Sequence, residues 1–521
     1  MNNIATPQMV IAIWIVLILY IGCILYFVVR GARRTKNIAD YATGTMNFSP
    51  SFLGLSLAAS MSSAATFIIN PGFVAYYGIA GFLSMAVFLP IGTLVSLAVL
   101  SKRFRKYGQS VQAKTIAQWM GNRYNSSKFS IYFGFLSFLM IAFIVMICVG
   151  LTQVLTRSLN LEVLPTLIAV VVFTFGYMMF GGANSMVYTN TVQAFLKLTV
   201  AIILLTSGYE YFANGVHGFL DRLAAVDPQL AKPFNSSSPL FRDAFEVIFC
   251  QIIVGVAIVC QPHIITRSLL LKNDKDVNKF LTVAIIVQAL FFMVVATGLY
   301  ARLFFPDLTI HGNKIPLDGV MSSFVVSRFP VYIAIILILG MLSAGMATLE
   351  GLIQSLSTTF TSDIIKPLTG GRIIQEKGSS TGLISELLLN RFVIGIMAVI
   401  AFFISYQQLL NPDLSVGIFA QNGVYAYFSA AFVPMVFGIF IKNVPRVAVM
   451  AASVTAVIVH FSIYYGRLTP YMAEGTRNPG IASAIAILSS LLVATLIYFI
   501  KRKKINEKMV VHRIDTVSYE V

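Results

Sequence analysis

The sequence is poor in charge, in cysteine and in histidine, and each shortage excludes a class of protein. Of its 521 residues, 11% are charged and 57% are hydrophobic, which excludes an ordinary water-soluble protein and a disordered one. The four cysteines all lie within apolar stretches, so they predict no disulfide framework. Five histidines, without a His-Glu-x-x-His, Gly-x-Ser-x-Gly or phosphate-loop pattern, give no sign of an enzyme. We therefore expect a membrane protein that is not an enzyme.

Acidic residues are also scarce, with 20 against 37 lysines and arginines, and the excess positive charge is unevenly distributed. When the N-terminus is placed outside, the inner loops hold 27 of the 37 basic residues and the outer loops hold nine. This positive-inside pattern predicts an external N-terminus and a cytoplasmic C-terminus. The net charge of +17 therefore indicates no nucleic-acid partner. It predicts instead that the basic tail after residue 500 contacts anionic membrane lipid.

Thirteen apolar stretches are long enough to cross a bilayer, and the first is too long for the apolar core of a signal peptide. The predicted fold class is an all-α membrane protein with about 13 transmembrane helices. The stretches cover residues 9–29, 51–79, 81–101, 129–155, 163–180, 186–209, 245–268, 280–303, 331–361, 390–409, 415–441, 446–466 and 480–500.

The second stretch has a composition that a simple membrane anchor does not need. Small residues fill 58–65 around Met61, and Asn70-Pro71-Gly72 interrupts the stretch again. Small residues let another backbone or a ligand come close, and a helix unwound there exposes its carbonyls. In lipid, exposed carbonyls persist only beside a cavity, an ion or other protein. This segment therefore predicts a transporter core.

Four segments resemble those of one transporter family when they are taken in order along the chain. They are SAATFIINPG from Ser63, Gly181-Gly182 followed by Thr189 and Gln193, QPHIITR from Gln261, and a hydroxyl-rich stretch from Ala347 to Asp363-Ile364. Each segment is a weak signal alone. Together, across nearly the whole chain, they resemble the sodium:solute symporter family, which includes proline, pantothenate, acetate and sugar transporters.

The resemblance implies the leucine-transporter fold, in which two five-helix repeats have opposite orientations in the membrane. The repeats would occupy 51–210 and 245–441, with an outer loop at 211–244 between them. Residues 1–50 would form an extra span and an inner loop, and residues 442–521 two extra spans and the basic tail. The predicted topology agrees, because consecutive blocks of five spans must enter the membrane from opposite sides.

By the same resemblance, a sodium ion binds between the broken second stretch and the hydroxyl-rich stretch. The resemblance assigns it to the backbone carbonyls of Ala59, Ser62 and Ala344 and to the hydroxyl of Thr348. Sodium is a hard cation, and such ions prefer oxygen ligands. The family has a pair of hydroxyls here, but Ala347 stands at the other position. Alternatively, Thr348 only bonds the carbonyl four residues earlier, as threonines in membrane helices often do.

The second sodium site of some family members is absent in its usual form. Asn190 stands at its aspartate position, and Glu350 and Gly351 stand at its hydroxyl positions. A carboxylate is thus lost on one helix and gained on the facing one, so Glu350 is expected to supply the missing charge or to carry a proton. The structural alternative is that Glu350 faces the inner water cavity or pairs with Arg267.

Lys197 adds a further coupling candidate. It lies two helical turns after Asn190 on the same face, about 10 Å further along the helix and near the first sodium site. A lysine there would titrate and couple transport to protons. The alternatives are that Lys197 pairs with a substrate carboxylate or with Glu350, or that it faces a water-filled vestibule.

The solute site implied by the resemblance lies at the midplane between the two broken helices. Its matching residues are Thr66, Phe67 and Gln261; Asn70 lies one turn beyond Thr66, and Gln421 and Asn422 are candidates by position. Amides and hydroxyls would bind the solute by hydrogen bonds, with an aromatic lid. The Pro-Gly break and the Gln-Pro-His stretch resemble the organic-acid and amino-acid branches more than the sugar branch, which favours a solute with a carboxylate.

These observations predict a secondary active transporter in the bacterial cell membrane that couples sodium to a small organic solute by alternating access. The alternative is a proton-coupled symporter that uses Glu350 and Lys197. A channel fits less well because broken helices in two inverted halves suit alternating access. A solute sensor is also less favoured, since only about 21 residues follow the last span. No pattern in the sequence predicts an oligomeric state.

Overall fold

The computed structural model describes residues 4–44, 48–110, 113–271, 274–372, 374–375, 384–411, 415–473 and 475–517. Up to twelve apolar spans, two of them broken, and one shorter apolar helix in these residues overlap the thirteen predicted stretches. We number them α1 to α13. They are α1 Pro7–Ala32, α2 Pro50–Met61 with Ala65–Tyr77, α3 Ile79–Lys106, α4 Ser127–Leu159, α5 Val163–Met178, α6 Ala183–Phe212, α7 Phe245–Ile258 with Pro262–Leu270, α8 Val277–Phe304, α9 Val331–Leu368, α10 Glu386–Leu410, α11 Val416–Phe440, α12 Arg446–Gly466 and α13 Pro479–Arg502.

Shorter elements connect these helices. Two antiparallel strands, β1 Thr309–Ile310 and β2 Asn313–Lys314, form a small hairpin between α8 and α9. Strands β3 Ile374–Gln375 and β4 Ile384–Ser385 pair in parallel between α9 and α10. The other short α-helices with eight or more residues are Ile116–Arg123, Gly215–Val226 and Val320–Arg328. The side chains of the predicted lipid-binding tail after Arg502 lie outside the described part of the chain.

Burial separates a peripheral set of helices from a central one. Helices α4, α9 and α11 are mostly buried, whereas only a third or less of the most apolar part of α1, α10 and α13 is buried. The exposed faces carry large apolar side chains, such as Ile11, Ile15 and Leu19 on α1. Such faces are unfavourable in water and favourable in lipid, so they fit a protein that crosses a bilayer.

Helices α2 and α7 are broken, and the two breaks are nearly equal. The halves of α2 meet at 55° and those of α7 at 56°. Residue Ser62 leaves the helix because its backbone is extended, with φ −85° and ψ 97°. In α7, Gln261 is also extended, and Pro262 then starts the second half, as proline favours a first helical position. Each broken helix begins one predicted five-helix block.

Candidate cation and solute site

The break in α2 exposes backbone oxygens, because carbonyls in the last turn of a helix have no amide partner within that helix. Small side chains let α6 and α9 approach this break closely. Ala59 of α2, Ala194 of α6 and Ala347 of α9 are completely buried and form one cluster. Ala347 therefore has a packing role at the position where the resemblance places a hydroxyl. The small cluster leaves room for the long side chain that lies beside it.

That side chain is Lys197, whose ammonium group binds two of the predicted sodium ligands. Its Nζ donates to the carbonyl of Ala59 at 2.5 Å and to that of Ser62 at 2.7 Å. Lys197 is completely buried, so it does not face an open vestibule. Among the described residues, Lys197 donates its hydrogen bonds to these two carbonyls and makes none to Glu350. The ammonium thus lies where the sequence predicted sodium.

The two predicted ligands from α9 also lie at this break. The Thr348 hydroxyl donates to the Ser60 carbonyl at 2.7 Å and approaches the Ala344 carbonyl at 3.5 Å. Its main bond therefore joins α9 to α2, rather than to its own helix as the structural alternative proposed. Because the Ser60 carbonyl lies between those of Ala59 and Ser62 in sequence, α9 and Lys197 bind the same turn of α2.

Glu350 belongs to a separate buried network. Its carboxylate accepts from the Tyr177 hydroxyl and from the Thr189 hydroxyl, both at 2.7 Å. Gln193 adds a longer contact at 3.4 Å. Glu350 is only 1% exposed, so the alternative of a carboxylate facing an inner water cavity does not match the structure.

Asn190 connects this carboxylate to Arg267. With its amide oriented to satisfy its neighbours, Asn190 donates to Gln193 at 2.9 Å and to Glu350 at 3.2 Å, and it accepts from Arg267 Nη2 at 3.0 Å. The guanidinium also donates to the hydroxyls of Ser56 and Ser60 on α2. Glu350 and Arg267 are thus paired through an amide rather than by direct contact.

Glycine at position 351 lets these groups approach. An added Cβ would lie 2.8 Å from the Ser60 hydroxyl oxygen and 3.3 Å from Arg267 Nη2. The loss of a hydroxyl here, relative to the family pattern, therefore makes room for the guanidinium.

The predicted solute residues divide into two groups. Thr66 and Phe67 lie in a buried π-helical turn of α2, and the Phe67 ring meets Phe291 of α8 edge to face at 5.6 Å. Asn70 starts the next turn and is half-buried. Gln261 lies at the break of α7, and its buried side-chain oxygen has no hydrogen-bond partner among the described residues.

The two candidates from α11 differ from each other. Gln421 is half-buried. The Asn422 amide donates to the Tyr465 hydroxyl at 3.0 Å and contacts His460 Nε2 at 3.0 Å. Asn422 therefore joins α11 to α12.

Tyr177 and Tyr20 are site residues that the sequence did not reveal. The Tyr20 hydroxyl of α1 accepts from Gln193 at 3.2 Å and from Ser343 at 3.0 Å. The only sequence signal for either residue is a tyrosine in the middle of an apolar stretch, where a buried hydroxyl needs a polar partner.

A cation-rich cavity lies at the end of α4, beside the β1–β2 hairpin. Its volume is about 710 Å³, and Arg157, His311, Lys314 and Glu162 are the charged or titratable residues among those that line it. Nearby, Asp318 accepts hydrogen bonds from the Ser415 hydroxyl at 2.6 Å and from the Val416 amide at 3.0 Å. These two bonds connect Asp318 to the start of α11. Burial raises the pKa of the Asp318 carboxyl.

Comparison with models of protein families identifies the family of this chain. The model of the sodium:solute symporter family matches residues 41–455. The chain belongs to this family. The symporter is therefore a sodium-coupled secondary transporter of a small solute.

The symporter has relatives of known solute. The sodium/pantothenate symporter of Haemophilus influenzae is 25% identical over 409 residues, which are 76% of this chain and 79% of the relative. The sodium/sialic acid symporter of Aliivibrio fischeri is 23% identical over 387 residues, or 70% of this chain and 72% of the relative.

A solved structure confirms the fold. The symporter matches a Na⁺-coupled sialic acid symporter in a substrate-bound outward-open state with a TM-score of 0.70 at 16% identity. The match covers 93% of this chain and 98% of the solved one. The predicted fold of the leucine-transporter type is thus confirmed.

Proposed function

We propose that this symporter carries a small organic solute with a carboxylate group, such as an organic acid or an amino acid. The proposal rests on the balance of buried charge. Lys197 and Arg267 place two cationic groups at the break of α2, and Glu350 places one carboxylate. The next buried carboxylate on α9, Asp363, lies 13 residues away, or about 20 Å along the helix. An uncompensated charge is costly in an apolar interior, and a solute carboxylate would neutralise it.

The unpaired oxygen of Gln261 supports a solute site at the break of α7. A buried carbonyl without a partner costs about 1–3 kcal/mol, so a donor on the solute would recover that free energy. Thr66, Phe67, Asn70 and Gln421 would complete the site. Asn422 would join it only if its bonds to α12 opened.

The relatives support the same chemistry. Pantothenate, sialic acid and proline each carry a carboxylate, and symporters of all three are among the relatives. The relatives also include a sodium/myo-inositol cotransporter from mouse, which is 25% identical over 386 residues. Its solute is uncharged, so the chemistry of the solute needs its own test.

Thermal unfolding of the purified symporter tests the proposal. Pantothenate, proline and sialic acid are compared with matched analogues that lack the carboxylate, such as pantothenol and prolinamide, and with glucose and myo-inositol. We expect one carboxylate to raise the melting temperature in sodium, by the equivalent of about 2.7 kcal/mol at one hundred times its Kd. Its analogue without the carboxylate should have a much smaller effect. Stabilisation by an uncharged sugar alone would contradict the proposal.

A second candidate for the coupling ion is the proton, because the Lys197 ammonium lies on two predicted sodium ligands. Uptake that persists when choline replaces sodium, and that follows an imposed pH gradient, would support proton coupling. Uptake that stops in choline would exclude it.

The arrangement in the membrane is also a proposal. The two repeats would be residues 51–210 and 245–441, in a bacterial cell membrane, with the N-terminus outside and the C-terminus cytoplasmic. Lys232 and Lys442 are exposed in loops that this orientation places on opposite sides. A membrane-impermeant thiol reagent applied outside should label K232C and spare K442C, and the reverse result would contradict the orientation.

A further inference from the structure

We propose that the solute has a hydroxyl or amide group in addition to its carboxylate, and that Gln288 of α8 binds this group together with Gln261. This inference rests on the proposed function and defines the class of solute more closely. It predicts a hydroxy acid or an amide-bearing acid, and it excludes a simple alkyl carboxylate.

Gln288 is a buried glutamine whose amide has no partner. Its side chain is completely buried, and among the described residues neither its Oε1 nor its Nε2 has a hydrogen-bond partner. Gln354 of α9, which is also buried, instead donates to the carbonyls of Tyr41 and Ala42. A buried amide without partners costs free energy. Because buried polar groups are normally bonded to protein, water or a ligand, Gln288 needs a partner from outside the chain.

Gln288 faces the break of α2, since α8 runs beside α2 in the same direction. The contacting pairs, in order along both helices, are Gly54 with Phe280, Phe67 with Phe291 and Pro71 with Gly298. Gln288 lies one turn before Phe291 on the same face of α8, about 4.5 Å away along the helix. The break of α2, at residues 62–64, likewise lies about one turn before Phe67. The unpaired amide therefore lies at the level of the break.

Gln261 brings a second unpaired group to the same region. Its buried oxygen has no partner among the described residues, and it lies at the break of α7. The second half of α7 contacts α2 directly, because Arg267 donates to Ser56 and Ser60 just before the break of α2. Gln261 begins this half of α7, less than two turns before Arg267. The breaks of the two helices are therefore neighbours.

Ser84 of α3 is a third buried group without a partner. Its hydroxyl has no hydrogen bond to the described residues. Gly81 lies one turn earlier on the same face of α3, and a Cβ added there would lie 3.4 Å from Val74 Cα and 3.5 Å from the Phe73 carbonyl oxygen. Ser84 therefore faces the second half of α2, which also contains Thr66.

The unpaired atoms define what the solute must offer. The oxygens of Gln261 and Gln288 need donors, and a carboxylate has none when it is ionised. The Nε2 of Gln288 needs an acceptor at the same place. A hydroxyl or a secondary amide both donates and accepts, whereas an alkyl chain does neither. The amine of an amino acid also donates, but its positive charge would restore the imbalance that the solute carboxylate removes.

The first test is the stability of the protein without solute. Methionine has a shape similar to that of glutamine and no amide, so Q288M should raise the melting temperature. The matched control is Q354M, which removes a buried amide whose donors are bonded and should lower it. A fall in melting temperature for Q288M as large as that for Q354M would overturn the inference, because Gln288 would then be bonded to water or protein in the absence of solute.

The second test is thermal unfolding in sodium with pairs of carboxylates that differ in one group. The pairs are N-acetyl-β-alanine with hexanoate and 3-hydroxybutyrate with butyrate, and pantothenate is compared with pantothenol. We expect at least one hydroxy or amide-bearing acid to raise the melting temperature more than its alkyl counterpart. In Q288M its Kd should rise about tenfold or more, since two hydrogen bonds are lost. Q354M should retain the shift caused by the solute.

Each alternative outcome has a separate meaning. Equal stabilisation by an acid and its alkyl counterpart would overturn the inference and leave the proposed function intact. Equal stabilisation by pantothenol and pantothenate would contradict the proposed function instead. A solute-dependent shift that persists unchanged in folded Q288M would overturn the role of Gln288, and so would the absence of any shift across the whole set. Q288L is the second variant if Q288M does not fold, as judged by gel filtration.

Discussion

Three charged side chains are buried where three helices meet, namely those of Lys197, Arg267 and Glu350. None of them forms a direct ion pair with another in the described structure. Backbone carbonyls stabilise Lys197, serine hydroxyls and an amide stabilise Arg267, and hydroxyls and amides stabilise Glu350. Buried charges survive when polar partners replace the lost water.

The Glu350 network gives a prediction about stability. E350Q removes the carboxylate that balances Arg267 through Asn190, so it should destabilise the protein. The expected loss is about 3–5 kcal/mol, the range for a buried charge that loses its partner. Thermal unfolding in detergent measures it. The matched control is E162Q, which changes an exposed glutamate at the start of α5 and should leave the melting temperature unchanged.

A double variant separates charge balance from the loss of hydrogen bonds. E350Q/R267Q removes both charges, so it should be more stable than E350Q alone if charge imbalance is the main cost. Equal melting temperatures for E350Q and the unmodified protein would contradict this account of the network.

The sequence predicted the identity of these residues better than their contacts. Helical periodicity placed Lys197 on the face of Asn190 and near the first sodium site. It did not predict that Ala59, Ala194 and Ala347 would make room for the side chain. A pairing of Glu350 with Arg267 was one of the alternatives, but its route through Asn190 was not predicted, because it depends on side-chain rotamers of three separate helices.

At the scale of elements, α2 packs closely against α8 because Gly298 of α8 lies directly against the backbone of α2 at Pro71. A Cβ added at Gly298 would lie 2.0 Å from the Pro71 carbonyl oxygen, which is far inside van der Waals contact. The second half of α2, which carries Thr66 and Phe67, is positioned partly by this approach. The sequence predicted a further interruption at Asn70-Pro71-Gly72, but the structure has Ala65–Tyr77 as one continuous half of α2. The sequence also did not identify α8 as its partner.

This contact predicts the effect of one methyl group. G298A should destabilise the protein by about 1–3 kcal/mol because rigid backbone has to shift. The control is G22A in α1, where an added Cβ has no atom within 4 Å. That change should be neutral or slightly stabilising, since alanine favours a helix. Similar melting temperatures for the two variants would contradict the close contact between α2 and α8.

At the scale of the whole molecule, two helices with nearly equal bends each begin one of the two proposed blocks of five spans. The bends are 55° and 56°; the predicted cation ligands Ala59 and Ser62 lie at the first, and the unpaired Gln261 oxygen lies at the second. Apolar length predicted where the helices lie, and the small residues 58–65 and Gln261-Pro262 lie at the two observed breaks. The Pro71-Gly72 pair marks no break, because it lies inside the helical half Ala65–Tyr77. Such an arrangement suits rocking of one helix bundle against the other around a central site.

The central claim is that a sodium gradient drives a carboxylate solute through this site. The most direct measurement is accumulation of the solute identified by thermal unfolding, in proteoliposomes with sodium outside and potassium inside. We predict transient accumulation above the external concentration, which disappears when choline replaces sodium or when an ionophore dissipates the sodium gradient. Uptake that merely equilibrates, at the same rate with and without the gradient, would contradict the account.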